Sequence, residues 1–80
     1  MQITIRLLAG YRRYLPADHD VRAGYTYQVS SGHRVEDILA KLPIPEQDTY
    51  TFLLNGSHAQ KDQVLLEGDT LAVFPAVGGG

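Results

Sequence analysis

Val35-Glu36-Asp37-Ile38-Leu39-Ala40-Lys41-Leu42-Pro43 is the stretch on which the fold turns. Val35, Ile38, Leu39 and Leu42 fall at i, i+3, i+4 and i+7, one stripe of an amphipathic helix. Glu36 and Asp37 stand in its first turn and Lys41 in its last, both favourable to the helix dipole. Pro43 and Pro45 stop it, because proline has no amide hydrogen to continue the ladder. Arg34 occupies the N-cap position, where its side chain cannot accept a bond from the free amides as Ser or Thr would. On that ground Arg34→Thr is expected to stabilise the domain by about 1 kcal/mol.

On either side of this helix the apolar period changes from three or four to two. Ile3, Ile5 and Leu7 alternate with Gln2, Thr4 and Arg6, as in a strand with one buried face. Leu8 breaks the alternation and falls on the polar face. Residues 10–24 carry Pro16, Asp18, His19 and Asp20 and read as a long hairpin loop. Tyr25, Tyr27 and Val29 then alternate with Thr26 and Gln28 in a second strand. Beyond the helix, Phe52 and Leu54 begin a third strand that ends at Asn55-Gly56, a strong two-residue hairpin signal. Ser57, His58 and Ala59 would form a short return. Glu67-Gly68-Asp69 is a turn, and Thr70 to Phe74 is the last strand, with Leu71 and Val73 inward and Pro75 at its end. The order strand, strand, helix, strand, short strand, strand predicts an α+β fold. One helix lies across one face of a mixed four- to five-stranded sheet, with the first and last strands parallel neighbours at its centre. That is the β-grasp, or ubiquitin-like, arrangement. It is expected over residues 1–75, with 76–80 a flexible C-terminal glycine tail.

Composition excludes several functions. Eighty residues fill one core only, and 44% hydrophobic with 20% charged residues is ordinary for a folded domain. Cysteine is absent, so no disulfide, thiolate metal site or thiol nucleophile is available. A net charge of −2 gives no basic footprint for nucleic acid. The apolar runs are too short for a membrane span or a signal-peptide core, so a cytoplasmic domain is expected. His19, His33 and His58 are too far apart for a local metal motif, and no metal site is expected. Neighbouring Glu36 and Asp37 diverge on a helix and make a poor acid–base pair. No Ser/His/Asp set or phosphate loop is visible. What stands out is the ending, where three of the eight glycines are Gly78, Gly79 and Gly80.

The stretch from Ile5-Arg6-Leu7-Leu8-Ala9 to Arg12-Arg13-Tyr14-Leu15-Pro16 resembles the opening of small sulfur-carrier proteins of the MoaD/ThiS family. Val35-Glu36-Asp37-Ile38-Leu39, Leu54-Asn55-Gly56 and Gly68-Asp69-Thr70-Leu71 are similar as well. Most specific is Val73-Phe74-Pro75-Ala76-Val77-Gly78-Gly79-Gly80, which resembles the end of molybdopterin synthase small subunits. Those proteins commonly carry two prolines after the phenylalanine, whereas Ala76 follows a single Pro75 here.

The resemblance implies a carrier that is not itself catalytic and holds sulfur as a thiocarboxylate on Gly80, with Gly79 beside the reacting group. An E1-like adenylating enzyme would spend ATP and Mg²⁺ to activate the carboxylate, and a persulfide donor would supply the sulfur. The acceptor would be the molybdopterin synthase large subunit or another sulfur acceptor enzyme. Thiamin thiazole, cysteine or another sulfur metabolite is an alternative product; a lysine-linked modifier and a plain interaction domain are alternative roles. No cofactor would be bound permanently, and neither nucleic acid nor membrane would be a partner. Glycine suits such a tail, since it blocks no narrow channel and takes backbone angles closed to other residues. Four residues from Val77 can extend about 13–14 Å into a partner's site.

The alternation of the strands also proposes a docking surface. Leu8, Leu53 and Phe74 all fall on the sheet face away from the helix, and such a patch commonly marks a partner site. Pro75, Val77 and Gly78 would continue that contact along the tail. Arg6, Arg12, Arg13 and Lys61 can pair with acidic groups of a partner, although a solvated face explains them equally well. The resemblance places a basic residue at Arg12 and so puts it ahead of the others. Tyr11 and Tyr14 are expected to form a lid on the core.

Overall fold

A computed structural model describes residues 1–14, 24–45 and 47–76 of the chain. Four strands, β1 (Gln2–Leu7), β2 (Tyr25–Gln28), β3 (Tyr50–Leu54) and β4 (Thr70–Pro75), form one sheet in the order β2-β1-β4-β3. The first and last strands are parallel central neighbours, with Ile5 beside Leu71 and Leu7 beside Val73. The two outer strands run antiparallel to them. One α-helix, α1 (Val35–Leu39), covers a single face. The mixed β-grasp sheet expected from the sequence is therefore present, with four strands among the described residues.

The core follows from strand alternation. Ile3, Ile5 and Leu7 of β1 and Leu71 and Val73 of β4 are at most 1% exposed. Leu54 of β3 joins them against Val35, Ile38, Leu39 and Leu42, and no polar side chain of the described residues is buried there. Tyr11 and Leu65 complete the cluster. Tyr11 is more than a lid, being 2% exposed and part of the core itself, while Tyr14 packs against it from outside.

Four local expectations change. The helix stops at Leu39, before Lys41 and Leu42, whose amides bond three residues back to Ile38 and Leu39. Pro43 causes this, since the residue before a proline is pushed away from helical angles. Leu42 keeps its place in the core from a turn.

The capping at Arg34 also differs. Its backbone N–H donates to Asp37 Oδ2 at 2.8 Å, but the first helical amides, those of Val35 and Glu36, donate to the carbonyls of Gln63 and Lys61. A distant loop therefore satisfies donors that a Thr side chain was expected to serve.

Residues 10–14, expected as the start of a loop, belong to a 3-10 helix (Ala9–Tyr14). The remainder of that expected loop, 15–23, lies outside the described residues.

The short return at Ser57, His58 and Ala59 is not a strand. Asn55 and Gly56 do form the expected turn, both with positive φ (52° and 82°), and Leu54 and Ser57 exchange backbone bonds across it. The chain then leaves the sheet, because Asn55 is fastened to β4. Its Oδ1 accepts from the Thr70 amide and its Nδ2 donates to Asp69 Oδ1, both at 2.9 Å.

Candidate docking face and tail root

The strand register brings the predicted patch together. Paired residues share a face, so Arg6, Ala72 and Leu53 form one row across β1, β4 and β3. One step along, Phe74 stands beside Thr51 on β3 and next to Leu8, whose amide donates to Val73 O at 2.9 Å just beyond β1. Leu8, Leu53 and Phe74 are each half-buried on the face opposite α1. Ala72 and Thr51 belong to the same surface and escaped the sequence reading, although strict alternation in β4 already turns Ala72 away from the core. The small Ala72 side chain keeps the centre of the face low between Arg6 and Leu53.

Pro75 ends β4 opposite Tyr50, and the Ala76 amide still reaches Thr49 O at 3.1 Å. The sheet thus holds the chain as far as Ala76, the first residue of the expected 76–80 tail. Val77, Gly78, Gly79 and Gly80 lie outside the described residues.

The 3-10 helix packs against β4 and carries two arginines. Arg12 is exposed. Arg13, ranked below it on sequence, is the better fixed of the two. Its Nη2 donates to the Tyr14 hydroxyl at 3.3 Å, and its guanidinium carbon lies 5.0 Å from the centre of the Tyr14 ring. That hydrogen bond raises the Arg13 pKa further above its usual value. The Tyr14 ring in turn sits 5.8 Å from Tyr11, whose hydroxyl donates to Asp48 Oδ2 at 3.3 Å. Burial first, and then the Asp48 charge, push the Tyr11 hydroxyl pKa up.

The other sequence candidates lie apart. His33 Nδ1 donates to Ser30 O at 2.9 Å, and its Nε2 is 3.3 Å from Lys41 Nζ. His58 and Lys61 are exposed, and His19 is outside the described residues. Among the described residues no three His, Asp or Glu side chains come together as metal ligands. Asp37 serves the helix cap rather than an acid–base pair. A groove of about 290 Å³ lies on the helix side, lined by Leu39, Leu42, Ile44, Pro45 and Tyr50 with Glu36 and Lys61, away from the apolar face. No helix of the described residues is long and apolar enough to cross a membrane.

A four-stranded mixed sheet with one helix on one face is the fold of MoaD/ThiS-like sulfur carriers. The chain belongs to the ThiS family, whose model matches residues 13–80. The same fold appears in a Pyrococcus furiosus protein described as molybdopterin converting factor, subunit 1, with a TM-score of 0.76 and 19% identity. That match covers 95% of this chain and 98% of the other. SAMP1 from Haloferax volcanii matches over the full length of both chains, with a TM-score of 0.70 and 21% identity. The Haloferax volcanii HVO 2177 protein matches with a TM-score of 0.75 and 23% identity, over all of this chain and 87% of that one. No curated protein sequence matches the chain.

Proposed function

We propose that this chain carries sulfur on the carboxyl group of Gly80 for molybdopterin synthesis, as the small subunit of a molybdopterin synthase. A family match that runs through the last glycine carries the reading. The continuity of the apolar face with β4 supports it, because a partner seated on Phe74 would also aim the residues that follow Ala76.

The chemistry explains the need for partners. A carboxylate is a poor electrophile, since its charge is delocalised and oxide is a bad leaving group. On an E1-like activating enzyme the Gly80 carboxylate attacks the α-phosphorus of Mg²⁺-bound ATP, releasing pyrophosphate and forming an acyl adenylate. The terminal sulfur of a persulfide attacks the carbonyl carbon and AMP departs. A thiol then attacks the donor-side sulfur of the resulting acyl disulfide, which frees the thiocarboxylate and leaves an ordinary disulfide. The large catalytic subunit of the synthase is the acceptor. This chain contributes the carboxyl group, the reach of its tail and the docking face.

Coexpression with the activating enzyme and intact-mass measurement test this reading. One oxygen replaced by sulfur, lost again on mixing with the large subunit and the molybdopterin precursor, is the expected result. A plain carboxylate with every cognate activator would overturn it. The family match equally supports thiamin thiazole as the product, and sulfur leaving only in a thiazole synthase reaction would establish that acceptor instead.

A further inference from the structure

Arg6 is the one charged residue among the strand positions of the open face. Along the register that face carries Gln2, Thr4, Arg6 and Leu8, then Thr26 and Gln28, Thr70, Ala72 and Phe74, and Thr51 and Leu53. No Asp or Glu stands among them. The Arg6 stem lies over Gly24 so closely that a Cβ there would be 2.8 Å from Arg6 Cγ. Its Nε is sealed from solvent and has no hydrogen-bond partner. A solvated surface arginine would have its donors in water. This one holds a dehydrated, unpaired N–H in the row that also contains Ala72 and Leu53.

We propose that a partner protein docks on this face by placing an Asp or Glu carboxylate against the Arg6 guanidinium, within a contact otherwise made by Leu8, Leu53, Ala72 and Phe74. This rests on reading the face as the carrier's docking surface and adds the chemistry that the partner must present. Covering the apolar patch removes the remaining water from Arg6, and a buried cation without an acceptor is strongly disfavoured. A bidentate carboxylate matches the planar guanidinium. A phosphate fits poorly here, since the backbone amides of these strands are engaged in the sheet. A second copy of this chain fits no better. Symmetric pairing through this face would bury two guanidinium groups with no Asp or Glu among the described strand positions of either copy to meet them. Leu8 and Phe74 thus supply apolar contact, while Arg6 selects the partner and prevents self-pairing.

The test measures binding of the full-length chain to its E1-like activating enzyme, without ATP, for wild type, Arg6→Gln, Arg6→Glu and Phe74→Ala. Thermal melting of each variant checks that it is folded. Arg6→Gln is expected to weaken binding about tenfold and Arg6→Glu about a hundredfold, the loss for truncating or reversing one member of a desolvated charge pair. Replacing the facing Asp or Glu of the enzyme by Arg should restore binding to Arg6→Glu and to no other variant. Sedimentation at the same concentrations should find the wild-type chain monomeric.

Folded Arg6→Glu binding within twofold of wild type, while Phe74→Ala binds weakly, would overturn the carboxylate and leave the docking face in place. A wild-type dimer broken by Phe74→Ala would make a second copy the occupant and overturn the proposal. Undiminished binding by both Phe74→Ala and Arg6→Glu would remove the docking reading itself, and the proposal with it.

Discussion

The two faces of the sheet are made from alternate residues of the same strands, yet they obey different rules. On the helix side, Leu7, Leu71 and Val73 are fully buried in an apolar core. On the open side, Leu8, Ala72 and Phe74 come from neighbouring positions and stay half-buried around a charged Arg6. The first face closes on itself and determines whether the chain folds. The second is left unfinished, and its apolar area is available to a partner. A one-residue slip in any strand would exchange the two sets, so the tight register of the parallel pair protects the core and the proposed docking face together.

That contrast is sharpest for Leu71→Ala against Phe74→Ala. Leu71→Ala opens a cavity at a fully buried position and should cost about 2–5 kcal/mol in urea unfolding. That is a large part of the total stability expected of a chain this size, roughly 4–12 kcal/mol. Phe74→Ala should cost about 1–2 kcal/mol, since part of the side chain is already in water, and its main effect should appear in partner binding. Equal destabilisation by the two would break the distinction between the faces.

Gly24→Ala probes the open face from its edge. Gly24 has φ of +78°, and an added Cβ would meet Ile5 O at 2.5 Å as well as the Arg6 stem. About 2 kcal/mol or more should be lost, from left-handed backbone strain plus displacement of β2. A melting temperature unchanged by the substitution would mean that Arg6 is not held as described.

Tyr11→Phe tests the core beside the tail root. Removing the bond to Asp48 should cost about 1 kcal/mol near neutral pH. The raised Tyr11 pKa makes a further, signed prediction. Its contribution to stability is complete below the unfolded tyrosine value of about 10 and is lost as pH rises through the higher folded value. Wild-type stability should therefore fall above about pH 10, and Tyr11→Phe should flatten that fall. Some slope should persist from Tyr25, whose pKa burial also raises.

Arg34→Thr has the smallest expected effect. Judged on the helix alone it would add a cap; with Val35 and Glu36 already bonded to the 61–63 backbone, it should change stability by less than about 0.5 kcal/mol. A clear gain in the melting midpoint would show that the loop caps the helix less well than its geometry implies.

Those outcomes mark where the sequence could be read and where it could not. Alternation placed Leu8, Leu53 and Phe74 on one face, because side-chain direction in a strand is a local property with period two. The same rule would have added Ala72. Turn chemistry placed Asn55-Gly56, since both positions need φ above zero. The length of α1 was less legible, because the apolar stripe continues to Leu42 after the backbone has been stopped by Pro43. Nor could the 3-10 helix at 9–14 be read, since Tyr11 is drawn inward by the core and not by any pattern in its neighbours.

By itself the sequence determined the succession of strands and helix and the apolar residues of each face, because periodicity and turn chemistry act over a few neighbouring positions. The glycine ending stands in the sequence as well, and the ThiS family match extends through it to residue 80. Only the tertiary structure decided that a remote loop caps the helix, that Tyr14 anchors Arg13 more firmly than anything holds Arg12, and that Arg6 lies over Gly24 with an unpaired N–H. Each of these joins groups distant along the chain or depends on packing around a neighbour, and so required the folded backbone to bring the groups together.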